Sequence, residues 1–233
     1  MSNWKTEAIV LAIGMVALGA QVKQGINNFV AKDRVVTVKG LAEMEVPANK
    51  VTWPLMYKEV GNDLATLYNK ISDTNSAIVN FLKKKGITED EISINAPEII
   101  DMQAERYNSN PVPYRYNVTT VITVTSSKVD LVRSLISEQG ELLKQGIAIT
   151  GGDYRYNITY DYTGLNDVKP QMIEEATKNA REAAQKFAKD SDSELGKIKR
   201  ASQGQFSIND RDANTPYIKR IRVVSTIEYY IED

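Results

Sequence analysis

The stretch KPQMIEEATKNAREAAQKFAKDSDSELGKI, Lys169–Ile198, decides the fold. Met172, Ile173, Ala176, Ala180, Ala183, Ala184 and Phe187 recur at the three-and-four spacing that gathers side chains on one helical face. Pro170 suits a first helical position, where its missing N–H would have no intrahelical partner anyway. Most of the contact positions are Ala, so the helix can lie close and flat against a sheet. Gly196 follows, where a left-handed backbone would end the segment and begin a strand. The pattern predicts a helix packed on strands that come before and after it.

Downstream, Lys197–Ile208 and Tyr217–Ile231 read as a closing antiparallel pair joined by the polar loop 209–215, with Ile221, Val223, Ile227, Tyr229 and Ile231 facing inward. Upstream, Ile147, Ile149, Tyr154, Tyr156, Ile158, Tyr160 and Tyr162 alternate as one strand, interrupted by a bulge at Gly151-Gly152. Before it, Val129, Val132, Leu135 and Ile136 mark a helix running to about Gly140. Tyr114, Tyr116, Val118, Thr120, Ile122 and Val124 form one face of a long strand, preceded by a hairpin loop at 107–113. Ile92, Ile94 and Ala96 mark another strand. Asp63 caps a helix whose apolar face is Leu64, Leu67, Tyr68, Ile71, Ile78, Val79 and Leu82, and Gly86 ends it. The lysines at 83–85 complement the dipole at that helix's C-terminus. Val51, Trp53, Leu55 and Tyr57 begin a strand in which Pro54 marks an edge or a bulge.

The order Val51–Tyr162 is β-α-β-β-α-β, that of a ferredoxin-like split unit. Ahead of it, Val36, Val38, Ala42, Met44 and Val46 alternate with Lys39, Glu43 and Glu45 as a half-buried strand. The fold class is α+β: a mostly antiparallel sheet with about three packing helices, extra strands around the split unit, and an N-terminal hydrophobic helix. Residues 32–233 read as one domain, and 1–31 as a membrane-directed segment and tether.

Three pieces resemble a known family in this order: DRVVTVKGLAEMEVPANKVTWPL (Asp33–Leu55), GNDLATLYNKI (Gly61–Ile71), and Asn179-Ala180-Arg181 with Ala184 followed by Leu195-Gly196 and Ile198. They look like the bacterial SIMPL-domain family, which includes periplasmic immunogenic proteins. The resemblance covers about residues 33–233. It implies an envelope location, an α+β fold, large ring-like oligomers and a role in stress tolerance, and it supplies no catalytic residues.

From Ala8 to Val22 the sequence AIVLAIGMVALGAQV is free of charge, with Ile9, Val10, Leu11, Ile13, Met15, Val16 and Leu18 as its apolar bulk. As a helix it covers about 22 Å of a hydrocarbon core about 30 Å thick, so spanning needs Lys5 and Lys23 to reach outward and Trp4 to sit at the interface. Two readings remain open: an uncleaved signal anchor on the periplasmic side, or a cleaved secretory signal with its site near Ala17-Leu18-Gly19. Gln24–Ala31 reads as the tether.

The chain has no Cys and no His, which removes disulfides, thiol nucleophiles, zinc sites and the commonest general base. With 29 basic and 30 acidic residues and no basic cluster, it carries no electrostatic footprint for nucleic acid. No phosphate-binding glycine loop or nucleophile elbow is present, and Gly151-Gly152-Asp153 is too short to cradle a phosphate. Asp161 with Asp167, and Asp210 with Asp212, sit in turn-like sequence where Asp is expected without a metal. The sequence therefore predicts no cofactor, no metal and no catalytic residue. Its most unusual feature is Tyr114, Tyr116, Tyr154, Tyr156, Tyr160 and Tyr162, alternating rings that either line a groove or subunit contact or simply fill a half-buried sheet. The expected function is a non-catalytic envelope protein that forms a membrane-tethered homo-oligomer. The alternatives are a binder of a small ligand or peptide at the tyrosine face, and a carboxylate-dependent hydrolase.

Overall fold

The computed structural model describes residues 4–31, 34–104, 113–151 and 154–232, with 5, 6 and 27–31 described in backbone only. In chain order the elements are α1 (Trp4–Ala31), β1 (Val35–Pro47), β2 (Lys50–Gly61), α2 (Leu64–Lys84), β3 (Ile92–Ile94), β4 (Glu98–Asp101) and β5 (Tyr116–Ser126), then α3 (Val129–Glu138), α4 (Gly140–Leu143), β6 (Thr159–Asp161), α5 (Leu165–Asp190), β7 (Glu194–Gln203), β8 (Ser207–Asp210) and β9 (Ile218–Glu232). The class is α+β, as the alternation of periods implies. Residues 32–233 read from sequence as one domain; their contacts gather into two compact units. One comprises 1–44, 166–207 and 221–233, the other 45–165 and 208–220.

The first unit is built on the sheet order β1-β9-β7. α5 lies on this sheet by the alanine stripe: Met172, Ala176, Ala180, Ala184 and Ala188 are buried. Val38 of β1 and Ile227 and Tyr229 of β9 complete that core. The approach is so close that a Cβ on Gly40 would sit 1.8 Å from the Ala176 carbonyl oxygen. Asn179 Nδ2 donates to the Leu41 carbonyl at 2.7 Å and fixes the register of helix on strand.

Three local readings of this region need correction. The helix begins at Leu165, so Pro170 is inside it rather than at its first position. Phe187 is 60% exposed, and Ala188, one residue on, takes the buried position. The helix is ended by Asp192, at φ 51, and not by Gly196. Ser193 N donates to Ala188 O at 2.9 Å and Asp192 N to Lys189 O at 3.2 Å, the paired bonds of a Schellman turn, and Asp tolerates the left-handed backbone they require. Gly196 is instead within β7, where a Cβ would meet Glu232 and Tyr230 at 2.9–3.1 Å.

The second unit holds the sheet order β3-β5-β2-β6, with β4 also pairing with β5, and these pairings are antiparallel. Counting strands within β2-α2-(β3, β4)-β5-α3-β6, the first and third are central, which is the split βαββαβ arrangement expected from sequence. Its core joins Val51, Trp53, Leu55 and Tyr57 of β2 and Ile122 and Val124 of β5 to Ile78, Phe81 and Leu82 of α2 and Val132 and Leu135 of α3. Asp63 Oδ1 accepts from Thr66 N at 2.8 Å at the start of α2, and Gly86, at φ 96, ends it. Lys83 pairs with Glu89, and Lys85 with Glu138 and Glu141, so two of the three lysines serve the unit's own structure. Pro54 pairs with Thr123 on one side and falls between β6 and the isolated bridge Met56–Thr150 on the other, a gap that tolerates its missing N–H.

The strand expected from Ile147 to Tyr162 is reduced to β6. Tyr154–Tyr156 form a single 3-10 turn instead, which Asn157 Nδ2 closes by donating to the Tyr154 carbonyl. The bulge expected at Gly151-Gly152 and the hairpin loop at 107–113 fall largely outside the described residues. Gln24–Ala31, read as a tether, continues α1 as helix. Within α1 the segment Glu7–Ile26, 20 residues of mean hydropathy 1.6, has none of its surface buried.

Candidate functional site

The six tyrosines do not share a face. Tyr114 precedes β5 and is exposed, while Tyr116 packs on Leu67, Ile71 and Val118 with the Arg115 guanidinium 4.9 Å from its ring. Tyr154 is 84% exposed, Tyr156 lies under Arg155, and Tyr162 is half-buried beyond the end of β6. Tyr160 belongs to the core, edge-on to Tyr217 at 6.2 Å, and Tyr217 in turn lies 3.4 Å from the Arg133 guanidinium. Burial raises the Tyr160 phenol; Arg133 lowers it and Tyr217 raises it, with burial prevailing.

A concave feature lies elsewhere in the second unit, between α2 and the strands β3 and β4. Asp63 sets the first residue of α2, so Leu64, Leu67, Tyr68, Ile71, Ser72 and Asn75 follow one another down a single side of the helix. Leu67 and Ile71 reach Val118 and are buried, but Leu64 and Tyr68, expected on the buried face, are 44% and 72% exposed. The opposing wall is Ile94, Asn95, Pro97 and Ile99, with Ile94 and Ile99 more than half exposed. Together they bound a groove of about 370 Å³. That is at the lower end of the range typical of sites for small ligands. Among the described residues no Asp, Glu, Lys or Arg lines it.

The chemistry beneath the groove is structural. Tyr57 Oη donates to Asn75 Oδ1 at 2.8 Å and lies 3.2 Å from the Ile71 carbonyl, tying β2 to α2. Burial pushes the Tyr57 phenol up to about 12, Thr120 opposing and Glu59 adding, so it stays neutral. A strongly held carboxylate, Glu91, lies just before β3. Burial raises it, but Ser126 Oγ at 2.6 Å, Thr88 N at 2.8 Å, Lys128 Nζ at 2.9 Å and Thr88 Oγ1 at 2.9 Å together hold it down at about 2.

Asp210 is bonded to Lys219 Nζ. Asp212 is held down to about 2, first by the Thr215 hydroxyl, and also accepts Asn214 N and Thr215 N at 2.8 Å, which makes it the cap of a turn. Among the described residues no group of three or more Asp or Glu side chains is placed to hold a metal.

An N-terminal apolar helix, an alanine-striped helix on an antiparallel sheet and a split βαββαβ unit define an α+β protein with a leader long and apolar enough to cross a membrane. The SIMPL family model, described as a protein of unknown function (DUF541), matches residues 36–225, and the chain belongs to this family. A comparison with curated proteins finds no match.

Proposed function

We propose that this is a non-catalytic protein of the cell envelope, held at a membrane by α1 with its folded part on the periplasmic side and assembled there into a homo-oligomer. The observation that carries the reading is α1. At 1.5 Å per residue its segment Glu7–Ile26 is about 30 Å long, the thickness of a hydrocarbon core, and the protein buries none of it. The continuation of the helix past Val22 removes the shortfall left by the charge-free residues alone. The cleaved-signal alternative predicts a mature chain that starts after the segment; the anchor predicts an intact one.

Self-association follows from confinement. Tethering restricts copies to a plane and raises their effective concentration, so a weak contact suffices to close a ring. The 13-residue strand β1 is at the outside of its sheet, and among the described residues no strand pairs with its other edge, which is open to such a contact. The family resemblance adds a role in stress tolerance to this reading.

Membrane fractionation with intact-mass measurement, followed by light scattering of the full chain in detergent, tests the reading. The expected result is an unprocessed chain that resists carbonate extraction and has a defined multimeric mass. A chain recovered in the soluble fraction with α1 intact, or a monomer over a wide concentration range, would overturn it.

A further inference from the structure

Between Ala8 and Val22, α1 carries one polar side chain, Gln21. It lies five residues inside the end of the segment Glu7–Ile26, which puts it about 7.5 Å below the edge of the hydrocarbon when α1 spans a membrane. Lys23 is long enough to carry its charge out to the headgroups from this end; the shorter amide at Gln21 is not. That amide has two N–H donors and a carbonyl acceptor, and lipid tails offer no partner to either. The protein offers none as well: Gln21 is exposed, and among the described residues no hydrogen bond reaches its side chain.

At 3.6 residues per turn, Val10, Gly14, Ala17 and Gly25 lie within about 40° of Gln21 around the helix, while Leu11, Ile13, Met15, Val16 and Val22 lie about 80° or more away. The two glycines serve nothing inside the protein. A Cβ on Gly14 or Gly25 would meet nothing within 4 Å, and neither has the positive φ that calls for glycine. Each weakens the helix relative to Ala, so the single chain gives no reason for them. Small residues let two membrane helices come close enough for a side-chain amide to bond across the gap. Copies inserted the same way carry Gln21 at one depth, and an amide both donates and accepts, so two such side chains satisfy each other. We infer that α1 pairs with α1 of a second copy, the backbones close at Gly14, Ala17 and Gly25, with Gln21 hydrogen-bonded to the partner's Gln21. The inference rests on the anchor reading and adds to the assembly a contact inside the membrane, separate from the edge of β1.

The chain has no Cys, so single cysteines report the contact in the full protein. Val10→Cys, Ala17→Cys, Ala12→Cys and Val16→Cys are oxidised with copper phenanthroline in membranes of the expressing cells, and the disulfide-linked product is read on non-reducing gels and by intact mass. The expected yield of dimer is at least fivefold higher for Val10→Cys and Ala17→Cys than for Ala12→Cys and Val16→Cys, which lie on the far side of the helix. Added to Ala17→Cys, Gln21→Leu or Gly14→Leu lowers the yield at least fivefold. Gln21→Asn retains it, and so does Gly19→Leu on the opposite face. None of the segment is buried, so these variants leave the folded part unchanged. Equal yields at the four positions, no dimer at any, or a yield indifferent to Gln21→Leu overturns the proposal. A product of mass other than two chains also overturns it, because another membrane protein would then be the occupant. In those outcomes the chain is intact and in the membrane fraction, so the anchor reading stands; a processed chain, or one in the soluble fraction, overturns both.

Discussion

α5 and α2 are both long amphipathic helices laid on antiparallel sheets, and they meet those sheets in different ways. α5 presents Ala176, Ala180, Ala184 and Ala188, all buried, to strands that approach as near as Gly40 allows. α2 presents Leu67, Ile71, Ile78, Phe81 and Leu82 to a thicker core, while Leu64 and Tyr68 near its start stay exposed. Small side chains close a helix-to-sheet contact along its whole length, whereas large ones hold the helix off and leave space where the sheet thins. The thin place here is β3 and β4, two short strands separated by Asn95–Pro97 instead of one long one.

The comparison can be broken most forcefully at Gly40. Gly40→Val inserts atoms where even a Cβ has no room, and is expected to destabilise the protein by about 3 kcal/mol or more in urea unfolding. A loss below about 1 kcal/mol would mean that α5 can move off its strand at little cost.

A second measurement sharpens the other side, through the carboxylate that anchors the start of β3. Glu91 titrates at about 2 in the folded protein and at about 4.3 when unfolded, so its contribution is present above the unfolded value and is lost as pH falls toward 2. The urea midpoint of the parent protein is expected to exceed that of Glu91→Gln at pH 6, with the gap shrinking by pH 3. A gap independent of pH would assign the effect to packing.

The smallest effect is expected at Phe187. Its ring looks like part of the apolar stripe, yet its exposure predicts that Phe187→Ser changes stability by no more than about 0.5 kcal/mol in the same urea assay. A loss of about 2 kcal/mol would place the ring in a contact the monomer does not contain.

Much of the fold was legible because it is written in local periods. The alternation in Val36–Val46, the cap at Asp63, the stop at Gly86 and the alanine spacing of α5 each appear in the structure where the pattern places them. The failures share one cause: several local patterns have more than one solution. Tyr154 and Tyr156 are two apart, which fits a strand and equally a single 3-10 turn, and the turn is what Asn157 closes. A left-handed residue was expected at Gly196, but Asp192 is the residue at which α5's own hydrogen bonds require one. The candidate site was less legible than the fold. The tyrosines form a pattern along the chain, and tertiary structure scatters them between core, turn and surface.

By itself the sequence determined the α+β class, the flat contact of α5, the split unit and an unburied apolar leader, because each depends on residue types at fixed spacings within one segment. Only the tertiary structure decided that Leu64, Tyr68, Ile94 and Ile99 face an open trough. Whether an apolar side chain on a helix is covered depends on how far the sheet beneath it extends. That extent is set by strand pairings between residues distant in the chain, which no local period records.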